Sequence, residues 1–404
     1  MTEAGGRQPY RFAVLALACA LAFMGNYLQY QVSALAVGVM AVLKVGTAGF
    51  QLLFLAPMLA AVFLSVPFGV LGDRFGPKRV VAVAFSVALA GSFLRLCDLA
   101  SLPLQLGCMF AIGVGMTALT ANNAKTLGLW FGAKTEFAMG AYYASSCLGI
   151  SVAQATAGLA GSIERSYLGA SCILAVIVVL WIAFDRNMPK GVAIPLDARS
   201  APPFSHAARS RSVWLIALCA GFTLAATTGF AGLLPQALEL DRGMDTVDAG
   251  LLASLLTCAS MVGCVVTPLL CARCKSARAY LGIVGAAGAL VMAVTWFVPG
   301  HGAGLLALLL LNGFSTSMMG PILQAFPVML PGIGTRFAGS AGGIIAEVSL
   351  LMSFALPVAV SAVAGADYLV SFVMFGACYA LALIPLCALP PLRFGKGHEG
   401  TEDS

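Results

Sequence analysis

Hydrophobic residues run through the chain in a dozen long stretches, each parted from the next by a short segment that is charged or rich in Gly and Pro. These breaks divide the sequence into segments near 12–39, 49–71, 79–97, 103–128, 136–161, 166–184, 213–238, 248–272, 279–298, 302–325, 337–364 and 367–389. At 1.5 Å per residue, an α-helix needs about 20 apolar residues to cross a hydrocarbon core of about 30 Å, and these segments have that length. Runs that are apolar on every face are membrane spans rather than amphipathic surface helices. The ten-residue alternation of a transmembrane β-barrel is absent from the sequence. The pattern predicts an all-α polytopic membrane protein with twelve transmembrane helices.

The longest interruption, about 185–212, is polar and basic and contains Pro189, Pro195, Pro202 and Pro203. It predicts an N-terminal six-helix bundle over 1–185, a cytoplasmic linker over 186–212, a C-terminal bundle over 213–391 and a cytoplasmic tail over 392–404. Internal similarity points the same way. A shift of 199 places Leu71, Arg74 and Arg79 on Leu270, Arg273 and Arg278, and a shift of 200 places Phe137-Ala138 on Phe337-Ala338, with Glu136 on Arg336. Two nearly equal offsets describe a degenerate repeat of half the chain, the construction of carriers made from duplicated bundles.

Composition removes the soluble alternatives. Of 404 residues 60% are hydrophobic and 9% charged, against about 25% charged in an ordinary soluble domain. The net charge of +6 reflects topology rather than a nucleic-acid face, because the cations cluster in the breaks. With the N-terminus on the cytoplasmic side, Lys44, Arg95, Arg165 and Arg242 fall on the opposite side and Lys125 within the fourth span. The other 17 of the 22 Lys and Arg are cytoplasmic. This bias predicts a multi-pass protein of the plasma membrane with both termini inside. Arg7, Arg11 and the apolar run from Phe12 mimic a signal peptide, but the run outlasts any cleavage site and reads as a retained first helix. Most of the 12 cysteines lie inside apolar runs and read as packing residues. Cys271 and Cys274 have redox or metal spacing without a second pair or a nearby histidine.

Between the second and third spans runs Gly69-Val-Leu-Gly72-Asp73-Arg74-Phe-Gly76-Pro77-Lys78-Arg79. It resembles the signature loop of the major facilitator superfamily, Gly-x-Leu-(small)-Asp-Arg-x-Gly-Arg-Lys, at the same point of the topology. Gly69, Leu71, Asp73, Arg74, Gly76 and Lys78 match, while Pro77 stands where a basic residue is usual. The resemblance implies the fold of that family over the whole chain and a cytoplasmic gating loop formed by Gly69, Asp73, Arg74, Gly76, Lys78 and Arg79. The bland alternative is a basic turn that only sets topology. The second-half counterpart keeps Arg273, Lys275 and Arg278 but has Ala272 in the aspartate's place. Two further family patterns are not kept: Met109 precedes Gly113 where an arginine is frequent, and the Gly-Pro pair of proton-coupled antiporters is missing between Gly149 and Gly161.

In such carriers the solute binds near mid-membrane between the halves, so polar groups at that depth are the candidates. A charge at a helix centre costs about 2.5–3.5 kcal/mol on insertion scales. Glu347, ten or eleven positions after Arg336, is therefore the leading candidate for proton coupling or solute contact, against a structural carboxyl facing the bundle. Lys125, beside Asn122 and Asn123, either attracts an anionic solute or snorkels to the headgroups. Asn26, Tyr30 and Ser33 share one face of the first helix. Tyr142, Tyr143, Ser145, Ser146 and Gln154 give the fifth helix a similar face, as do Asn312, Ser315, Thr316 and Gln324 in the tenth. Arg95 and Asp98 read as interfacial. Gly320-Pro321 and Pro357 would break or kink the tenth and eleventh helices.

The reading is a secondary active transporter of a small solute, with a lean to a small organic or inorganic anion, working by alternating access. A proton or other ion gradient would drive it, and no cofactor, nucleotide or nucleic acid is implied. Its surroundings would be the bilayer and the solute, and it would function as a monomer. An efflux carrier for drug-like amphiphiles is the alternative within transport, and a non-transporting sensor or assembly factor on a carrier fold is the alternative outside it. No catalytic constellation or metal site is apparent, because His206, His301 and His398 fall in loops or the tail. No phosphate-cradling loop is present in the sequence either. The chain is expected not to be an enzyme.

Overall fold

The computed structural model describes residues 10–131, 134–184, 208–271, 274, 276–300, 302–323 and 334–389. Among these residues every regular element is helical. In chain order they are α1 (Tyr10–Ala34), α2 (Ala36–Leu43), α3 (Thr47–Phe75), α4 (Pro77–Leu94), α5 (Leu102–Phe131), α6 (Thr135–Thr156) and α7 (Ile163–Phe184). They continue with α8 (Arg211–Leu240), α9 (Thr246–Cys271), α10 (Ala277–Val294), α11 (Ala303–Ser317), α12 (Gly334–Ala364), α13 (Tyr368–Leu381) and α14 (Leu383–Cys387).

Eleven helices among the described residues are long and apolar enough to cross a bilayer. The segment expected at 136–161 is helical as α6 but is not one of the eleven. Its sequence, with Tyr142, Tyr143, Ser145, Ser146, Ser151, Gln154 and Thr156, is too polar to meet the same apolar standard. Large apolar side chains on the helices face outward, as Phe63, Val83, Val179, Val265, Ile283 and Val363 do. That distribution suits lipid as the solvent.

Local chemistry explains the breaks. Gly76 takes φ +86 between α3 and α4, a conformation that costs glycine little. Pro77 follows at the first position of α4, where its fixed φ helps and its missing N–H is not needed. The departure of Pro77 from the usual basic residue therefore has a structural use. α11 stops at Ser317, ahead of Gly320-Pro321, whereas α12 runs through Pro357 without ending.

Two compact units emerge. The first holds the chain to Arg199 together with Gly229–Cys258 and Phe354–Tyr368; the second holds Ser200–Thr228, Ala259–Ser353 and the chain from Leu369. The division does not simply follow the central break, because the second half of α8, the first half of α9 and the last part of α12 belong with the first unit. In that unit α3 packs on α5, α1 on α6, and α4 on α5 and α7. Gly113 of α5 lies so close to the Pro57 backbone of α3 that a Cβ would have no room, the small-residue device by which membrane helices approach. In the second unit α10 packs on α11 and α14. There the Tyr379 hydroxyl donates to Thr316 O at 2.8 Å, and Arg278 Nη1 donates to Leu389 O at 3.2 Å.

Candidate functional site

The residues expected to form a gating loop lie at the end of α3 and the start of α4. Gly69, Asp73 and Arg74 are the last turns of α3, Gly76 is the break, and Lys78 and Arg79 open α4. The Gly76 N–H donates to Gly72 O at 3.1 Å. Arg74 lies 5.1 Å from the ring of Phe75, and Trp181 of α7 donates to Lys78 O at 3.3 Å. The side chain of Asp73 lies outside the described residues, as do the side chain of Arg336 and all of Arg273, Lys275 and Gln324.

Two of the solute candidates meet this loop. Asn122 Nδ2 donates to Phe68 O of α3 at 3.1 Å and to Ala118 O of its own helix at 2.9 Å, while Lys125 Nζ stands 3.5 Å from Gly72 O. Gly72 is the position that permits this, because a Cβ there would occupy the space of Asn122 Oδ1. Both α3 acceptors lie in the last two turns of that helix, where a cation interacts favourably with the helix dipole. Asn123 is buried, with Nδ2 3.5 Å from Met139 Sδ and its Oδ1 without a partner. Asn122→Ala removes both amide bonds. At about 0.6 kcal/mol each in a membrane protein, the expected cost is a lower melting temperature in detergent. Asn26→Ala, which loses one bond within α1 to Ala22 O, should cost less.

The remaining candidates are distributed over both units. Tyr30 is buried edge-on against Phe54 at 5.1 Å between centroids. Tyr142 is buried, packs edge-on against Tyr143 at 5.5 Å, and accepts from Ser146 Oγ through its carbonyl at 3.2 Å. In the second unit Asn312 is buried with Nδ2 unpartnered, and its carbonyl accepts from Thr316 Oγ1 at 2.7 Å. Glu347 is half-buried on α12, two residues before Ser349, the midpoint of that 31-residue helix. Among the described residues no hydrogen bond or ion pair reaches its carboxyl group.

At the other end of α3 from the Gly69–Arg79 turn, helices of the first unit are linked by uncharged groups that periodicity alone did not single out as a set, here called the seal for the role proposed below. Ser33 Oγ donates to Gly232 O at 2.9 Å, and Gln51 Nε2 to Gly229 O at 3.3 Å. Both acceptors precede Pro235, which lies inside α8. Gln236 Nε2 donates to the Tyr368 hydroxyl at 2.6 Å and stands 3.5 Å from Thr47 Oγ1. Thr257 Oγ1 donates to Gln154 Oε1 at 3.1 Å. Gly250 of α9 presses on the Gln154 carbonyl so closely that a Cβ would overlap it. Ser33 thus belongs to this seal.

Arg95 lies at the end of α4, as expected, but is not exposed there. The side chain is wholly buried, with Cζ 3.7 Å from the Tyr167 ring centroid and Nη2 donating to Gln31 Oε1 at 3.1 Å. Asp98, three residues on, is exposed and accepts from Ala100 N at 2.9 Å. Its position at the end of a span suggested the interface, but α1 and α7 cover it.

The family model described as Major Facilitator Superfamily matches residues 15–349. The chain belongs to the Major Facilitator Superfamily. As a member it is a multi-pass membrane protein of a transporter family. Among curated relatives it is similar to the "Probable nitrate transporter NarT" of Staphylococcus epidermidis, 25% identical over 343 residues, covering 82% of this chain and 84% of that one. The protein of the same name from Staphylococcus haemolyticus is 23% identical over 365 residues, covering 87% and 90%. Solved structures of this superfamily member's fold include a bacterial homolog of the human lysosomal transporter Spinster in an inward-facing and occupied conformation. The TM-score is 0.77 at 13% identity, covering 95% of this chain and 97% of that one. A mutant of the nucleoside transporter NupG follows with TM-score 0.76, 13% identity and coverage of 93% and 99%.

Proposed function

We propose that this superfamily member is a secondary active transporter of a small inorganic anion, with nitrate as the leading solute, coupled to protons through Glu347 and set in the plasma membrane with both termini cytoplasmic. The observation that carries the solute class is the match, across more than four fifths of the chain, to two proteins named as probable nitrate transporters. The cytoplasmic orientation rests on the excess of Lys and Arg on that side. Alternating access would then require the uncharged seal around Ser33, Gln51, Gln154 and Gln236 to part, and hydrogen bonds of this kind are weak enough to break in each cycle.

The test is counterflow of isotopically labelled nitrate into proteoliposomes, with chloride, formate and an amphiphilic dye as competitors. Protein-dependent nitrate exchange, inhibited by small anions and not by the dye, is the expected result. Nitrate exchange no faster than in protein-free liposomes, with the protein folded, would remove the anion reading. Export of the dye instead would establish an amphiphile carrier.

A further inference from the structure

Glu239, one residue before the end of α8, has one carboxyl oxygen satisfied and one not. Oε2 accepts from Thr246 Oγ1, across the short turn to α9, at 3.0 Å. Oε1 is buried and has no partner among the described residues. An ionised carboxyl only accepts hydrogen bonds, whereas its protonated form also donates one. A buried oxygen that meets no donor is therefore a costly setting for the anion. The turn adds like charge. Asp245 precedes Thr246, with Oδ2 accepting from Val247 N at 3.1 Å, and Asp241 lies two residues after Glu239. Arg242 Nε stands 3.9 Å from Asp241 Oδ2. Tyr368, whose hydroxyl takes the Gln236 bond one turn earlier on α8, is the titratable group from α13. Lys44, Glu164, Arg165, Asp248 and Asp367, on the surrounding helix ends, are exposed. All of these residues belong to the first unit.

A cavity of about 270 Å³ adjoins the same turn. Asp245, Thr246 and Val247 line it from the start of α9, and Gly158, Gly161 and Ser162 from the segment before α7. The hydroxyl that holds Glu239 thus borders a space for several water molecules, at about 30 Å³ each, and Asp245 beside it is exposed. A Cβ on Gly158 would stand 3.3 Å from Thr246 Cγ2, so the turn packs on the segment that follows Gln154 of the seal.

We propose that Glu239 is a proton-binding site on the non-cytoplasmic face, reached through this cavity, and that its proton favours the closed seal. The proton passes from the outer solution to Glu239 Oε1 and returns there, and nothing else is consumed. Protonated, Glu239 keeps the bond from Thr246 and holds the start of α9 to the end of α8. Ionised, it repels Asp241 and Asp245, and α9, with Gly250 and Thr257, leaves Gln154 more readily. This rests on the reading that the seal parts during transport with that face outward; it is independent of the solute and of Glu347.

Right-side-out vesicles buffered at pH 7 inside and at pH 5 or 8 outside test it. They carry Ser33→Cys with or without Glu239→Gln, and a membrane-impermeant maleimide reports the open fraction. The ratio of the two labelling rates cancels the thiol's own pH dependence, and labelling of native cysteines is subtracted with the parent proteins. The two forms should label alike at pH 5. At pH 8 the form with Glu239 should label about tenfold faster, the shift that a one-unit difference in proton affinity between open and closed states supplies. Asp245→Asn keeps an acceptor for Val247 N and removes a like charge. It should reduce the rise in labelling between the two pH values, a second arm that decides the matter where Glu239→Gln fails to fold. A ratio to Glu239→Gln that is the same at both pH values, or a rise undiminished in Asp245→Asn, would overturn the proposal and leave the seal standing. Absence of labelling in every form at both pH values would remove the seal itself, and this role of Glu239 with it.

Discussion

Glu347→Gln is expected to abolish gradient-driven accumulation of solute while leaving counterflow exchange largely intact. Glutamine keeps the shape and the hydrogen-bonding reach of the side chain but cannot take up or release a proton. A carboxyl two residues from the midpoint of a 31-residue helix is costly to hold charged, by about 2.5–3.5 kcal/mol at the membrane centre. Such a position suits a group whose charge is carried only in part of the cycle. The half-buried setting and the absence of an ion pair among the described residues leave it accessible to that exchange. A gradient of one pH unit is worth about 1.4 kcal/mol per proton, or about tenfold accumulation. Wild-type proteoliposomes should reach that order with one coupled proton, and the variant should stop at equilibrium across the membrane. Counterflow, which needs no net proton movement, should persist in the variant. Undiminished accumulation by the variant would remove Glu347 from the coupling role and direct attention to another driving ion.

The parts of the molecule that are governed by local sequence were legible before the structure. Most segment boundaries agree with the helices to within a few residues, because breaks such as Gly76-Pro77 are set by backbone chemistry at those residues, whereas 12–39 divides into α1 and α2 and α11 ends at Ser317 rather than near 325. The contacts that give polar groups their roles were not legible, because they depend on which helices become neighbours. Asn122 and Lys125 look alike in sequence whether they face a solute or a helix end, and only the packing of α5 on α3 places them at Phe68 O and Gly72 O. Gly72 carried the available signal, a small residue where a neighbouring amide must approach. Arg95 was misplaced for the same reason. Its partners lie 64 residues earlier, at Gln31, and on α7, at Tyr167, whereas hydropathy along α4 reports only its distance from the centre of its own helix. The uncharged seal was legible one residue at a time, as Ser33 and Gln154, but not as a set, since two of its acceptors are backbone carbonyls of α8 and its closest contact is a glycine.

That glycine gives the other large expected effect. Gly250→Leu should reduce solute flux by about fivefold or more without preventing membrane insertion. The position admits no Cβ because the Gln154 carbonyl occupies its place, and a backbone oxygen within α6 cannot swing aside as a flexible side chain would. Overpacking of a close interface costs about 1–3 kcal/mol, which shifts an open-to-closed equilibrium by about 5-fold to 150-fold. The wedge acts where α9 meets the end of α6, and Thr257, two turns further along α9, should lose its bond to Gln154 Oε1 in consequence. Membrane-impermeant maleimide should then label a cysteine placed at Ser33, a residue with no exposed surface when the seal is closed, faster in Gly250→Leu than in its absence. Labelling of the native cysteines is subtracted with the parent protein. Gly107→Leu is the control, since nothing lies within contact of a Cβ at that position, and it should leave both flux and labelling unchanged. Full flux in Gly250→Leu would show that the seal need not close for transport. Lost flux with unchanged labelling would place the defect elsewhere in the cycle. Because Gly250 is remote in sequence from Glu347 and carries no charge, its variant should slow exchange and accumulation alike, and that separates a gating defect from a coupling defect in the same two assays.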